Sequence, residues 1–493
     1  MIAPHQPAAD PEAPSRLLHW SFILAVLIAV TTVVADPLIG DIIAKPTWQR
    51  LRLIDFPLKA SLLLPLAMAG TAVIAAFVAK TRDMRSALLI LTIVALQTNG
   101  IKILPGLDLI TALPFFVLIY LFAEGLRKPS SEIHLGGVMF FAALLLLLDL
   151  PYFAATHVYG PPRFIINFFS ALKALLVAFV FINLVRTEQD MRLAIRWIMI
   201  VAVVSAGIGV MQMVLNKFTG MTLSLVSEEH ETKPTFFGTV MRASGLTTWS
   251  SWLADFLVLA LPLLLYHVSV AKTSLQRLGY LAAIALLLAA TLLTFTYAAY
   301  AAVAVILVLF PFFRWPRLIP FFLVSILFFA SLFYIVGGFD WLADGPLRKI
   351  LTSSGMIERK IYLQSTIDQL VRDPWLGSGF YAEEEFSGNF YRKRVHNTGL
   401  QAWANLGLPG FLAFLAMMMI LFTQIWLLAF SRNGKASMLL KALGLGMIGM
   451  IVEMFAEPNL THPITWYYLG LCQAAVFVWN TPTGGRRAAE IYA

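Results

Sequence analysis

The chain predicts an all-α, polytopic integral membrane protein with about 12–14 transmembrane helices, the uncharged runs having the length of about 20 residues that crosses a bilayer as a helix. Three observations carry this. Of its 493 residues, 59% are hydrophobic and 13% charged, with mean hydropathy +0.79, whereas soluble domains carry about 25% charged residues. No succession of ten-residue alternating segments suggests a barrel. Short loops with at least two basic residues alternate with longer polar ones, as the positive-inside rule expects.

The candidate spans, in order, are 17–35, 57–79, 86–104, 107–123, 134–150, 165–185, 193–215, 248–270, 279–296, 297–313, 318–337, 398–430, 437–455 and 463–480. Residues 279–313 form one 35-residue apolar run, too long for a single crossing. Thr294, Thr296, Tyr297 and Tyr300 are its natural break. Basic groups such as Lys80/Arg82/Arg85, Arg127/Lys128, Arg186/Arg192, Lys272/Arg277, Arg314/Arg317, Arg432/Lys435 and Arg486/Arg487 mark the inner loops. Both termini are then expected in the cytoplasm, and loops 216–247 and 338–397 outside. Met1–Ser15 lacks a basic n-region and a cleavage site, so no removable signal peptide is expected. The absence of repeats and linkers predicts a single polytopic domain over residues 1–493.

Composition excludes several functions. The formal charge of +9 is accounted for by loops that orient the spans, so no nucleic-acid partner is expected. Cys472 is the only cysteine, which rules out disulfides and thiolate metal sites within one chain. No carboxylate cluster with metal-ligand spacing lies near the polar motifs, so no metal and no cofactor are expected.

The chemistry concentrates in the outer loops. In 338–397, Met356–Val371 carries Ile357, Ile361, Leu363, Ile367, Leu370 and Val371, the pattern of an amphipathic helix resting on a membrane. Asp373-Pro374 and Gly377-Ser-Gly379 end it with turn chemistry. Arg359, Arg392 and Arg394 are placed to clamp a phosphate through forked hydrogen bonds, though a solvated loop meeting anionic headgroups uses the same residues. The other loop ends in Arg242-Ala-Ser-Gly245 as a span begins, where an arginine more often snorkels. His396-Asn397 opens the next span, followed by Gly407-Leu-Pro-Gly410; histidine is the side chain suited to take a proton near neutral pH. Glu453 and Glu457 are spaced i,i+4 at the outer end of the penultimate span. An ionisable group that deep merits a function, and Glu453 is the candidate to orient His396 or an acceptor hydroxyl, though paired or water-facing acids at a helix end use the same spacing. Lys173 and Asp255 also lie inside spans, where snorkelling or a structural pair accounts for each.

The string from His396-Asn397 to Gly407-Leu-Pro-Gly410 resembles the signature of bacterial O-antigen ligases and their polymerase relatives: His, then Asn, Ser or Gln, nine residues, Gly, two residues, Gly. Asp373-Pro374-Trp375-Leu376-Gly377-Ser378-Gly379 resembles the family's Pro-x-Gly-x-Gly stretch, and Arg242-Ala-Ser-Gly245 its arginine-glycine element. Thr294–Tyr300 departs from it, with no arginine where the family often has Ser-Arg-Gly. The resemblance implies an inverting, metal-independent glycosyltransferase of the inner membrane. Its partners would be an undecaprenyl-diphosphate-linked glycan donor, a lipid A-core or glycan acceptor on the periplasmic face, and the lipid bilayer itself. His396 matches the catalytic histidine and Arg242 the first diphosphate-binding arginine. Arg359 is the choice for the second, with Arg348 as the alternative. Asn397, Arg392, Arg394 and Glu453 are supporting candidates. A polymerase of lipid-linked O-antigen or exopolysaccharide units shares donor and site with a ligase. A lipid-linked glycan flippase is less consistent, because repeat symmetry and paired broken helices are lacking.

Overall fold

The computed structural model describes residues 84–98, 102–104, 107–127, 133–154, 161–219, 232–235, 238–314, 354–372, 374–377, 379 and 395–480, with Phe328 and Ser331. Twelve helices lie among them: α1 (Met84–Gln97), α2 (Leu109–Arg127), α3 (Gly136–Ala154), α4 (Pro161–Leu184), α5 (Glu188–Thr219), α6 (Ser250–Val270), α7 (Ser274–Leu293), α8 (Tyr297–Arg314), α9 (Ser354–Arg372), α10 (Thr398–Ser431), α11 (Gly434–Met454) and α12 (Pro463–Asn480). Two short antiparallel ribbons accompany them, β1 (Lys102–Leu104) with β2 (Leu107–Asp108), and β3 (Thr232–Thr235) with β4 (Gly238–Met241). The chain is a multi-pass membrane protein built on helices: α5, α6, α7, α8, α10 and α11 are each long and apolar enough to cross a bilayer.

Eleven of the expected spans coincide with helices, and α9 takes the place of the amphipathic segment. Spans 17–35 and 57–79, nearly all of 318–337, both termini, and Arg348, Arg392 and Arg394 lie outside the described residues. The span expected over 86–104 is shorter: α1 stops at Gln97 and Lys102–Leu104 is in β1. Asn99-Gly100 is a turn-forming pair, and it intervenes between the two. The break in the 279–313 run falls at Thr294–Thr296, where Phe295 has φ 51°.

Burial ranks the helices. α12 is covered nearly all round, with Trp466, Tyr467, Tyr468 and Cys472 fully buried, as a helix apolar on every side should be. It packs chiefly on α4, while α11 packs on α6, α8 and α10, and α6 on α7. Gly470 lies so close to α4 that a Cβ there would stand 2.6 Å from the Ala178 carbonyl oxygen. The exposed apolar residues of α10, from Leu412 to Phe430, lie on the outside.

α10 is not one straight rod. Gly407 has φ 68° and ψ −176°, which breaks the helix inside its span. The break frees backbone groups that a low-dielectric setting penalises unless they are paired, and the segment after α9 pairs them. Leu408 N–H donates to the Pro374 carbonyl at 2.9 Å, and Gly379 N–H to the Asn405 carbonyl at 2.7 Å. Trp403 Nε1–H uses the second lone pair of Pro374 at 2.8 Å. Neither partner tolerates a side chain at the crossing. A Cβ on Gly407 would sit 2.0 Å from the Trp375 carbonyl oxygen, and one on Gly377 (φ 71°) 2.4 Å from Gly407 N. The two glycine motifs are thus the two halves of one backbone splice, which fixes α9 against α10.

Gly434 gives an internal control, because its φ of 65° is nearly the same but a Cβ there would meet nothing within 4 Å. Gly434→Ala should cost only the left-handed penalty of about 1–2 kcal/mol. Gly407→Ala should lower the unfolding midpoint in detergent by clearly more, since it adds a backbone clash; equal midpoints for the two would show that the splice is loose.

Candidate active site

The start of α10, the α7–α8 break, the turn before α6 and the loop between α11 and α12 meet at one end of the bundle. Asn397 is the N-cap of α10: its Oδ1 accepts from Leu400 N–H at 2.9 Å, and its Nδ2 donates to the Phe455 carbonyl at 3.3 Å. Thr398 Oγ1 donates to the Glu457 carbonyl at 2.7 Å and accepts from Asn459 N–H at 2.9 Å. Gln401 Oε1 accepts from Leu460 N–H at 3.2 Å. The polar residues that open α10 therefore stitch it to the 455–462 loop, which places His396 beside Glu457.

Glu457 is the hub. His396 Nδ1 lies 3.5 Å from Glu457 Oε2, and Arg359 donates to Glu457 Oε1 at 3.4 Å. Burial alone would push the Glu457 carboxyl up. The imidazole of His396 and the cations of Arg359 and Arg242 outweigh that and hold it below the ordinary carboxylate value. His396 Nδ1 is itself buried, whereas the imidazole as a whole is 28% exposed. The accessible part of the ring thus lies on its Nε2 side.

Arg242 is held from two directions. Its backbone turn hangs on α5 through Gln212, whose Oε1 accepts from Ser244 and Gly245 N–H at 3.1 and 2.9 Å. Its side chain donates from Nε to the Thr294 carbonyl at 2.7 Å and from a terminal nitrogen to Thr296 Oγ1 at 2.9 Å. Thr294–Thr296, the stretch without an arginine of its own, is where Arg242 docks. Those residues are free to accept because the helix is interrupted there.

Behind the hub lies a second polar group. Asp255 of α6 and Glu453 of α11 are both buried and in hydrogen-bonding contact. His462 Nδ1 is 3.8 Å from Asp255 Oδ2, and Trp252 meets the His462 ring edge-on at 4.3 Å between centroids.

Of the residues singled out in the sequence, the structure brings His396, Asn397, Arg242 and Arg359 to one place. Glu453, the candidate to orient His396 or an acceptor hydroxyl, pairs with Asp255, and Glu457 faces the imidazole. The reason is geometric: α11 ends at Met454, so Glu457 lies in the loop that Thr398 pulls over α10. The sequence does carry a signal for this loop, the polar run Glu457-Pro-Asn-Leu-Thr-His462 between two apolar helices. Among the described residues, no group of three His, Cys, Asp or Glu side chains is arranged to hold a metal ion.

Residues 282–415, from within α7 into α10, match the O-antigen ligase family model. This part of the chain is O-antigen ligase-like. The matched stretch contains Arg359, His396 and both halves of the splice, while Arg242 and Glu457 flank it. It supports a glycosyltransferase-like activity of the ligase or polymerase type. No curated protein matches the chain.

The depressed Glu457 carboxyl gives a pH signature. A carboxylate whose folded pKa lies below its unfolded value, here about 4.5, stabilises the fold above that value, and the contribution is lost as pH falls through the folded pKa. Wild-type protein should therefore unfold at higher temperature than Glu457→Gln at pH 6–7, and the gap should close as the buffer is taken below pH 4. A gap that does not change with pH would contradict the ion-pair account.

Proposed function

We propose that the chain transfers a glycan from a polyprenyl-diphosphate lipid, undecaprenyl diphosphate in the bacterial inner membrane, to an acceptor hydroxyl on the periplasmic face. The observation that carries this reading is the single carboxylate, Glu457, that ties His396 to Arg359 within electrostatic reach of Arg242. A base and two arginines beside a membrane suit a donor with a diphosphate at headgroup depth and a sugar in the water layer.

In this reading Arg359 and Arg242 bind the diphosphate and stabilise the charge that builds on it as the bond to the anomeric carbon breaks. Arg242, locked against Thr294 and Thr296, offers a fixed guanidinium. Arg359 rides on α9 and is 36% exposed, so it is the arginine able to adjust to the ligand. The Glu457 carboxylate, 3.5 Å from Nδ1 of His396, favours the proton on that nitrogen and leaves the Nε2 lone pair toward the accessible side. That tautomer accepts the acceptor's hydroxyl proton as its oxygen bonds to the anomeric carbon opposite the leaving diphosphate. Configuration inverts, the proton resides on His396, and Glu457 stabilises the imidazolium. None of these steps calls on a metal, because the arginines neutralise the leaving group.

The acceptor hydroxyl belongs to lipid A-core, as for a ligase, or to a second lipid-linked glycan, as for a polymerase. Purified protein supplied with a polyprenyl-diphosphate oligosaccharide and either lipid A-core or a second lipid-linked unit distinguishes the two directly; extension of the second unit alone would assign polymerase chemistry. Turnover in His396→Ala should fall by about 10²–10⁴-fold, the usual contribution of a general base, with membrane insertion and expression preserved. Arg359→Lys should raise the donor KM more than it lowers kcat, since lysine keeps the charge but not the fork. Full transfer by His396→Ala would rule out the base.

A further inference from the structure

Helix α9 has three faces. Tyr362, Thr366 and Leu370, at i, i+4 and i+8, are buried, on a helix that packs against α10. Gln364, Ser365 and Asp368 form an exposed polar face, with Ile361 as its one large apolar residue. Between the two runs a ridge of Leu363, Ile367 and Val371, the last 77% exposed, which continues past the helix into Trp375 and Leu376 at 65% and 67%. Five large apolar side chains in one exposed line are more than the scattered hydrophobics of an ordinary wetted surface.

Their position along α10 says what they meet. The antiparallel pairing of α10 with α11 is fixed by the Ser437 hydroxyl on the Ala429 carbonyl and by Gly444 against Trp426. That register carries Phe455 to the level of Phe411–Leu415. Yet Asn397 also reaches the Phe455 carbonyl, so residues before Gly407 turn across the end of the bundle rather than continuing along the α10 axis. The exposed apolar residues of α10 run from Leu412 to Phe430, about 27 Å at ~1.5 Å per residue, close to the ~30 Å of a hydrocarbon core. The bilayer's apolar zone thus begins near Leu412. Trp375 and Leu376 are held at that edge, because Pro374 is bonded to Leu408.

We propose that α9 lies in the phospholipid interface at the site end of the bundle. Its Leu363–Val371 ridge and the Trp375-Leu376 tip are seated at the boundary between headgroups and acyl chains, continuous with the lipid face of α10. Trp375 occupies the depth that interfacial aromatics prefer, and Lys360, one turn before the ridge, extends its amine to the headgroups. The partner is a lipid surface. The proposal rests on the membrane topology and on the splice, not on the glycan-transfer reading.

Site-directed spin labelling of the full chain in phospholipid nanodiscs tests it, since the native Cys472 is buried and leaves the background unlabelled. Labels at Val371→Cys and Leu376→Cys should be relaxed by oxygen several-fold more than by a water-soluble nickel chelate, and a label at Gln364→Cys should show the reverse preference. Equal nickel accessibility at all three positions would place the ridge in water. Shielding of Val371→Cys and Leu376→Cys from both relaxants would mean a protein partner or a second copy covers the ridge. Either result overturns the proposal, and neither depends on enzyme turnover.

Discussion

A backbone that cannot leave its polar groups unpaired is the constraint on which the rest of this molecule depends. Breaking α10 at Gly407 exposes a carbonyl and an amide next to a hydrocarbon zone, where each unpaired group costs several kcal/mol. The chain resolves this by bringing the Pro374–Gly379 segment against the break, with Leu408 N–H on Pro374 and Gly379 N–H on the Asn405 carbonyl. Both sides must be glycine where the strands of backbone cross. Everything carried by α9, including Arg359, is positioned by this exchange rather than by side-chain packing alone.

A second constraint is electrostatic. Glu457 is a buried acid, and burial of a lone carboxylate is unfavourable. It stays charged because it is shared: His396 on one oxygen, Arg359 on the other, and Arg242 nearby. The sharing works in both directions. An acid within reach of two arginines keeps them from repelling one another before any anionic ligand arrives, and one beside an imidazole selects which nitrogen bears the proton. The loop that supplies Glu457 is tied down by Thr398 and Gln401, so the motif that opens α10 sets both the histidine and the acid facing it.

Hydropathy made the helices legible. The expected spans 248–270, 297–313 and 463–480 lie within two residues of α6, α8 and α12, because a run of about 20 uncharged residues has one outcome in a bilayer. The break at 296/297 was also readable, since two threonines and two tyrosines interrupt an otherwise continuous apolar run. What could not be read were relations across sequence distance. That Gly377 and Gly407 meet requires knowing that α9 folds back on α10. That Glu457 rather than Glu453 faces His396 depends on where α11 ends and which residue Thr398 captures, a matter of one helical turn across some sixty residues of chain. The i,i+4 spacing of the two acids suggests a shared face; the helix ending between them separates their surroundings.

The break in α10 also decides the depth of the site. Were α10 straight, its 34 residues would extend about 51 Å at ~1.5 Å per residue, and His396 would stand far above a hydrocarbon core about 30 Å thick. Turning the first nine residues of α10 sideways at Gly407 brings His396 down to the ends of α11 and α12, where Asn397 and Thr398 bond to the 455–462 loop. A soluble acceptor-binding site would gain nothing from that geometry. The proposed donor, with its diphosphate anchored in the bilayer, would need it, and on that reading the helix break, the splice that satisfies it and the arginine on α9 are parts of one arrangement.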